Sequence, residues 1–298
     1  MKNFGINNAF IRIHWKELTQ KDFQALRESI DTIHHALQFV AIVGKYLLPP
    51  RTDDSHTAME WISSRMIFAG EWINADRTFR VTLNPELLRL ELCDYDWNCL
   101  SEINMVNKTK MEIYALLKLQ LSQLGVSVAN LSIDMHYDIP RHITDNGGTY
   151  KIENPDHFRE IANYYSNAHL VLKQVIANVN EATLIRCWPH HIDLATNIIV
   201  QRDENGSLLR TIGVGITPPD TYYNEPYFYM RIWSRDNLEI TEFPELNAGR
   251  WHQKDWTGAV LKISKLASKN NINDQVEVMT TFIKTGLMYF YNELITYS

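Results

Sequence analysis

His191-Ile192-Asp193-Leu194-Ala195-Thr196-Asn197-Ile198-Ile199-Val200-Gln201 is followed, after Arg202-Asp203-Glu204-Asn205-Gly206-Ser207, by Leu208-Leu209-Arg210-Thr211-Ile212-Gly213-Val214-Gly215-Ile216-Thr217. Both runs alternate with period two, the signature of strands. A third run, Tyr227 to Trp233, alternates in the same way. Ile192, Leu194, Thr196, Ile198 and Val200 form one face of the first strand, and His191, Asp193, Ala195 and Asn197 the other. The second strand puts Ile212, Val214 and Ile216 on one face and Thr211, Gly213, Gly215 and Thr217 on the other. The third opposes Phe228, Met230 and Ile232 to Tyr227, Tyr229, Arg231 and Trp233.

The turn between the first two strands fixes their register. A two-residue Asn205-Gly206 turn would oppose Ile198 to Gly213 and mix the faces. A three-residue turn of Glu204, Asn205 and Gly206 opposes Ile198 to Ile212 and Asn197 to Gly213, and keeps the apolar residues together. In a meander the glycine strand is central. Its polar face is then a trough with His191, Asp193 and Asn197 on one wall and Tyr227, Tyr229, Arg231 and Trp233 on the other. Missing side chains at Gly213 and Gly215 leave room for a ligand or for another part of the chain. Prolines at 218, 219 and 226 restrict the connecting loop and hold Asp220 and Glu225 near the end of the trough with His191.

Outward from this core, the second half begins with a predicted helix from Pro155 to Asn178. A strand spans Ile185 to Gln201, and helices run from Asp255 to Ser268 and Asp274 to Leu294, with Asp255 and Asp274 as N-caps. The first half has similar grammar: a helix from Lys16 to Leu48 stopped by Pro49-Pro50, strands at 58–68, 78–83 and 87–93, and a helix from Thr109 to Leu124 ended by Gly125. One 135-residue shift relates His34 to His169 and His56 to His191. The expected fold is α+β: two antiparallel three-stranded sheets flanked by helices, with an internal duplication of helix, three strands, helix. The halves are residues 1–145 and 146–298, with a linker around Asp145-Asn146-Gly147-Gly148; the alternative is one merged α+β domain.

The chain has 298 residues, 45% hydrophobic and 21% charged, with a net charge of −6. This is the balance of a folded globular protein and excludes a disordered or fibrous chain. The acidic balance gives no global attraction to nucleic acid or anionic membrane. Lys262, Lys265 and Lys269 read as a solvated helix face. No uncharged apolar run reaches the roughly 18 residues that span a bilayer, and no leader pattern opens the chain, so the expected location is the cytoplasm. Cys93, Cys99 and Cys187 form no Cys-x-x-Cys pair and read as free thiols. No nucleotide-cofactor motif is present, and Gly213-Val214-Gly215 lacks a third glycine and a following helix.

Trp188-Pro189-His190-His191-Ile192-Asp193 resembles the signature block of an uncharacterised bacterial family, in which it usually reads Trp-Pro-His-His-Phe-Asp. The resemblance continues through Thr217-Pro218-Pro219-Asp220, Glu225-Pro226-Tyr227-Phe228-Tyr229 and Trp256-Thr257-Gly258-Ala259-Val260-Leu261. It extends more weakly to Gln38 with Gly44-Lys45. Ile192 and Pro219 depart from the family's usual Phe and Gly. The resemblance implies no mechanism, because no activity attaches to the family.

Three chemistries fit these residues. The first is a small-ligand pocket on the second-half sheet, formed by His190, His191, Asp193, Asn197, Asp220, Glu225, Tyr227, Tyr229, Arg231 and Trp233. Here aromatic rings and a guanidinium suit stacking and polar recognition. The second is hydrolysis. His191, Asp193 and Glu225 would be the catalytic set, with His191 a base oriented by Asp193; Thr217, Tyr227 and Cys187 are the weak candidates for nucleophile. A divalent metal would take His191, Asp193, Glu225 and His56. The third is a protein-interaction surface of Tyr222, Tyr223, Trp251 and Trp256 with the same aromatic residues, as Tyr, Trp and Arg are enriched at interfaces. Trp251 and Trp256 also suit core anchors.

Overall fold

The computed structural model describes residues 4–19, 22–238 and 240–296. In chain order the elements are α1 (Asn8–His14), α2 (Arg27–Leu47), β1 (Glu60–Ile62), β2 (Ile67–Ala69), β3 (Arg80–Asn84), β4 (Arg89–Cys93), β5 (Cys99–Asn104) and α3 (Lys110–Gln123). A short 3-10 turn (Ile143–Asn146) and α4 (Pro155–Ile176) follow. Then come β6 (Arg186–Trp188), β7 (Asp193–Arg202), β8 (Leu208–Thr217), β9 (Tyr227–Ser234), β10 (Arg250–His252), β11 (Gly258–Lys262), α5 (Ile263–Ala267) and α6 (Ile272–Thr296). The class is α+β with two antiparallel sheets. One has five strands in the order β1-β2-β3-β4-β5, the other six in the order β10-β11-β9-β8-β7-β6.

These sheets correct the expected pair of three-stranded sheets, and the helix, three strands, helix repeat does not describe them. Two expected strands are hairpins or broken runs. The stretch 58–68 folds back at Met66, whose φ of 56° is left-handed, with Arg65 N donating to Ile62 O. The stretch 185–201 breaks at Pro189–Ile192, where Ile192 has φ 48°. The expected helix 255–268 is β11 followed by the five-residue α5. Asp255, at φ 65°, makes a turn instead of an N-cap, and β11 pairs with β9. The expected helix 16–48 crosses residues 20–21, which lie outside the described residues; its helical part is α2. Asn271, not Asp274, caps α6: its Oδ1 accepts from Asp274 N at 3.0 Å.

Two compact units interleave along the chain. Unit 1 comprises Met1–Gln24, Asn163–Ile185 and Asp193–Ser298; unit 2 comprises Ala25–Ala162 and Arg186–Ile192. The Asp145–Gly148 stretch lies within unit 2.

In unit 1, β8 lies between β7 and β9, and β11 follows β9. The register pairs Asn197 with Gly213 and Ile198 with Ile212, as the three-residue turn requires. Gly206 supplies the turn's left-handed φ of 78°, and Asp203 N donates to Ser207 O at 2.9 Å. One face carries Leu194, Ile198, Ile212, Val214, Ile216, Phe228, Met230, Ala259 and Leu261, all buried. Helix α6 packs against β7, β8, β9 and β11. Its buried Val276, Met279, Ile283, Leu287, Phe290 and Leu294 recur at three- and four-residue steps, one apolar stripe laid on one apolar sheet face.

In unit 2, the meander β1 to β5 packs on α2 through β3. Helix α2 is buried from Thr32 to Gly44, including the polar His34, His35 and Gln38. Buried polar groups need partners, and two of these side chains find one at the Trp188–Ile192 turn. Among the described residues no helix is long and apolar enough to cross a membrane.

Candidate functional site

The outer face of the unit 1 sheet is built in rows across the strands. One row is Asn197, Gly213, Arg231, Gly258 and His252. The next is Ala195, Gly215, Tyr229, Val260 and Arg250. The face therefore holds three glycines, and the chain's own rings occupy two of them. A Cβ at Gly215 would meet Tyr229 Cζ at 3.0 Å, besides Ala195 Cβ and Leu194 O at 2.7 Å. The Tyr229 ring lies across the central strand there, and its hydroxyl donates to Asp193 Oδ2 at 2.9 Å. A Cβ at Gly258 would meet the Trp256 ring at 2.3 Å. Trp256 in turn stacks on His252, with centroids 4.0 Å apart.

Gly213 is different. A Cβ there would meet only Asn197 Oδ1 at 3.1 Å and Arg231 O at 3.7 Å, and no ring. Gly213 is partly exposed, whereas Gly215 and Gly258 are buried. Beside it, Asn197 and Arg231 are exposed and Trp233 is 46% exposed. Among the described residues none of these three side chains makes a hydrogen bond or an ion pair.

The remaining expected site residues in unit 1 are internally paired. Asp220 Oδ1 accepts from the backbone N–H groups of Tyr222 (2.8 Å) and Tyr223 (2.9 Å), and its Oδ2 accepts from the Tyr227 hydroxyl at 2.6 Å. Glu225 pairs with Lys262 Nζ at 2.8 Å and accepts from Ser264 N at 2.8 Å, at the start of α5. Lys262 is thus a strand residue in an ion pair, not part of a solvated helix stripe. Tyr223 donates to His252 Nδ1 at 2.7 Å, and His252 Nε2 lies 2.7 Å from Lys254 O, which assigns the proton to Nε2. Burial, reinforced by the bond to Asp220, raises the pKa of the Tyr227 phenol. Burial, with the charge of Asp193, does the same for Tyr229. Both phenols are therefore held as donors at neutral pH, which does not suit a nucleophilic role.

His190 and His191 belong to unit 2 and lie in a turn, not on a strand. The two-residue spacing thus does not put His191 and Asp193 on one strand face. The turn is clamped. The Pro189 carbonyl accepts from Gln38 Nε2 at 2.9 Å and lies 2.9 Å from His34 Nε2, one helical turn earlier on α2. Ile192 N donates to Trp188 O at 2.7 Å, and Met59 and Cys187 exchange both backbone bonds. A β-branched residue at positive φ is a backbone outlier that persists only when its surroundings over-determine it. Tyr137 donates to Gln38 Oε1 at 2.9 Å and its ring lies 5.7 Å from that of His190. His190 and His191 rings are 4.5 Å apart. Burial lowers the pKa of His190, and His191 lowers it further. His136, adjacent to Tyr137, is bonded through Nε2 to Asp54, an Asp–His pair that the sequence pattern did not disclose.

His56 accepts from Arg51 N at 3.2 Å through Nδ1. Among the described residues no three His, Cys, Asp or Glu side chains are grouped as a metal site; of the expected ligands, His191 and His56 belong to unit 2 and Asp193 and Glu225 to unit 1. Cys93, Cys99 and Cys187 are free thiols. No family model matches the chain, and neither a curated protein nor a solved structure matches it.

Proposed function

We propose that this protein binds a small molecule on the outer face of the unit 1 sheet, over Gly213, without chemistry at that face. The observation that carries this reading is the contrast among the three glycines. Gly215 and Gly258 are roofed by the Tyr229 and Trp256 rings, while Gly213 is partly exposed and covered only by the Asn197 amide; among the described residues the side chains of Asn197, Arg231 and Trp233 beside it make no hydrogen bond or ion pair. A glycine seat with a few convergent polar groups and an aromatic wall is the composition of a small-ligand site. The test is ligand-observed NMR with fragment mixtures of acidic, neutral and basic rings. Binding to the wild type that disappears in Gly213→Val, with the thermal melt unchanged, is the expected result. Fragments that bind both proteins equally, or neither, would sink the reading.

An acid–base hydrolase in unit 2 is the second reading. The clamped turn that carries His190 and His191, near the Asp54–His136 pair, favours it. Positioned proton transfer is worth about 10²–10⁴-fold in rate. This reading requires turnover of p-nitrophenyl esters or phosphates that falls by about 100-fold or more in His190→Ala/His191→Ala. A wild-type protein inert on the whole panel ends it.

A further inference from the structure

We infer that the ligand over Gly213 is a flat ring carrying an anionic group, such as an aromatic carboxylate; this rests on the reading of Gly213 as the binding seat. The ring follows from the rest of the face. At both covered glycines a planar aromatic ring lies over the missing side chain beside nearer strand atoms: the Tyr229 phenol with Leu194 O and Ala195 Cβ at Gly215, and the Trp256 indole with Met230 O at Gly258. At Gly213 the same role falls to the Asn197 amide, a small polar group beside which a planar ring of a ligand can lie. The Trp233 indole, diagonal to it across the β8–β9 pair, offers a ring edge or face for stacking.

The charge follows from the border. Tyr229 and Tyr227 each present a hydroxyl that is met by a carboxylate, Asp193 and Asp220. The Gly213 seat reverses this pattern: its border has the Arg231 guanidinium and the Asn197 amide and no carboxylate in its row. Arg231 stands directly opposite Gly213 in the ladder and enters no ion pair among the described residues, whereas Arg210 on β8 and Arg235 just after β9 are paired with Asp236 and Asp203. A fork of N–H donors without an internal acceptor matches a carboxylate. The Asn197 amide, donor and acceptor at once, completes a polar edge for a hydroxyl or a second oxygen of the same group.

Isothermal titration with 2-naphthoate, 2-naphthamide and cyclohexanecarboxylate separates these contributions, using the full chain and the Arg231→Met, Trp233→Ala and Gly213→Val variants. The expected result is that 2-naphthoate binds about tenfold more tightly than either analogue, the advantage of a charge-assisted bond and of a ring contact respectively. Arg231→Met should make naphthoate and naphthamide equal, Trp233→Ala should weaken both, and Gly213→Val should abolish both. Naphthamide binding as tightly as naphthoate in the wild type, with both lost in Gly213→Val, overturns the anionic ligand class and leaves the seat standing. Binding of neither probe, or binding untouched by Gly213→Val, overturns the class together with the seat.

Discussion

Gly215→Ala is expected to lower the melting temperature of unit 1 by several degrees, while Gly213→Ala, two residues earlier on the same strand, leaves it unchanged within about 0.5 kcal/mol. The added methyl at 215 meets Leu194 O and Ala195 Cβ at 2.7 Å and Tyr229 at 3.0 Å. The first of these is backbone in a paired strand and cannot yield without distorting the sheet. Overpacking of this kind costs about 1–3 kcal/mol, at about 2–4 °C per kcal/mol for a unit of this size. Moving the Tyr229 ring aside would also break its hydroxyl's bond to Asp193. At 213 the nearest atom is the movable Asn197 amide oxygen, and the nearest backbone atom is 3.7 Å away. Gly213 does not have positive φ, so alanine fits the strand backbone. Differential scanning fluorimetry of the two variants checks this. Equal destabilisation would mean that Gly213 is as tightly roofed as Gly215.

The second large effect is acid sensitivity of unit 2. His34 is buried on α2, and burial lowers its pKa from 6.5 to about 4. The folded state therefore holds a neutral imidazole, with Nε2 on the Pro189 carbonyl. As pH falls below about 6.5, His34 in the unfolded chain takes up a proton while the folded chain resists until about 4. The unfolded state binds more protons through that window, so stability is present above pH 6.5 and is lost progressively towards pH 4. The full loss is about 3 kcal/mol. His35, also lowered chiefly by burial, works in the same direction. Urea unfolding between pH 7 and 4.5 should show a falling midpoint in the wild type and a flatter one in His34→Gln. Parallel slopes in the two proteins would remove His34 as the cause.

Legibility in the sequence tracked how local the controlling physics was. The β7–β8 register was readable because only a three-residue turn ending in Gly206 keeps every apolar residue of both strands on one face. The same alternation put Asn197, Arg231 and Trp233 on the outer face. The break at Pro189–Ile192 was not readable. Isoleucine disfavours positive φ, and the turn is imposed by His34 and Gln38 on a helix some 150 residues away in sequence. The pairings that separate occupied from open positions on the sheet were hidden for the same reason. Nothing near Asp193 signals that Tyr229 will reach it across Gly215, so Asp193, Asp220 and Glu225 read as site residues although each is engaged within the fold. At β11 a short apolar run after an aspartate fits an N-capped helix as well as a strand, and pairing with β9 makes it a strand.

The most direct test of ligand binding at Gly213 is the ¹⁹F NMR spectrum of protein labelled with 5-fluorotryptophan. Eight tryptophans give eight resonances, with Trp233 and Trp256 assigned by substitution to phenylalanine. On addition of the acidic, neutral and basic ring fragments, the Trp233 resonance is predicted to move with at least one mixture while Trp256, already stacked on His252, stays in place. A Trp233 resonance unmoved by every mixture would contradict ligand binding at this face.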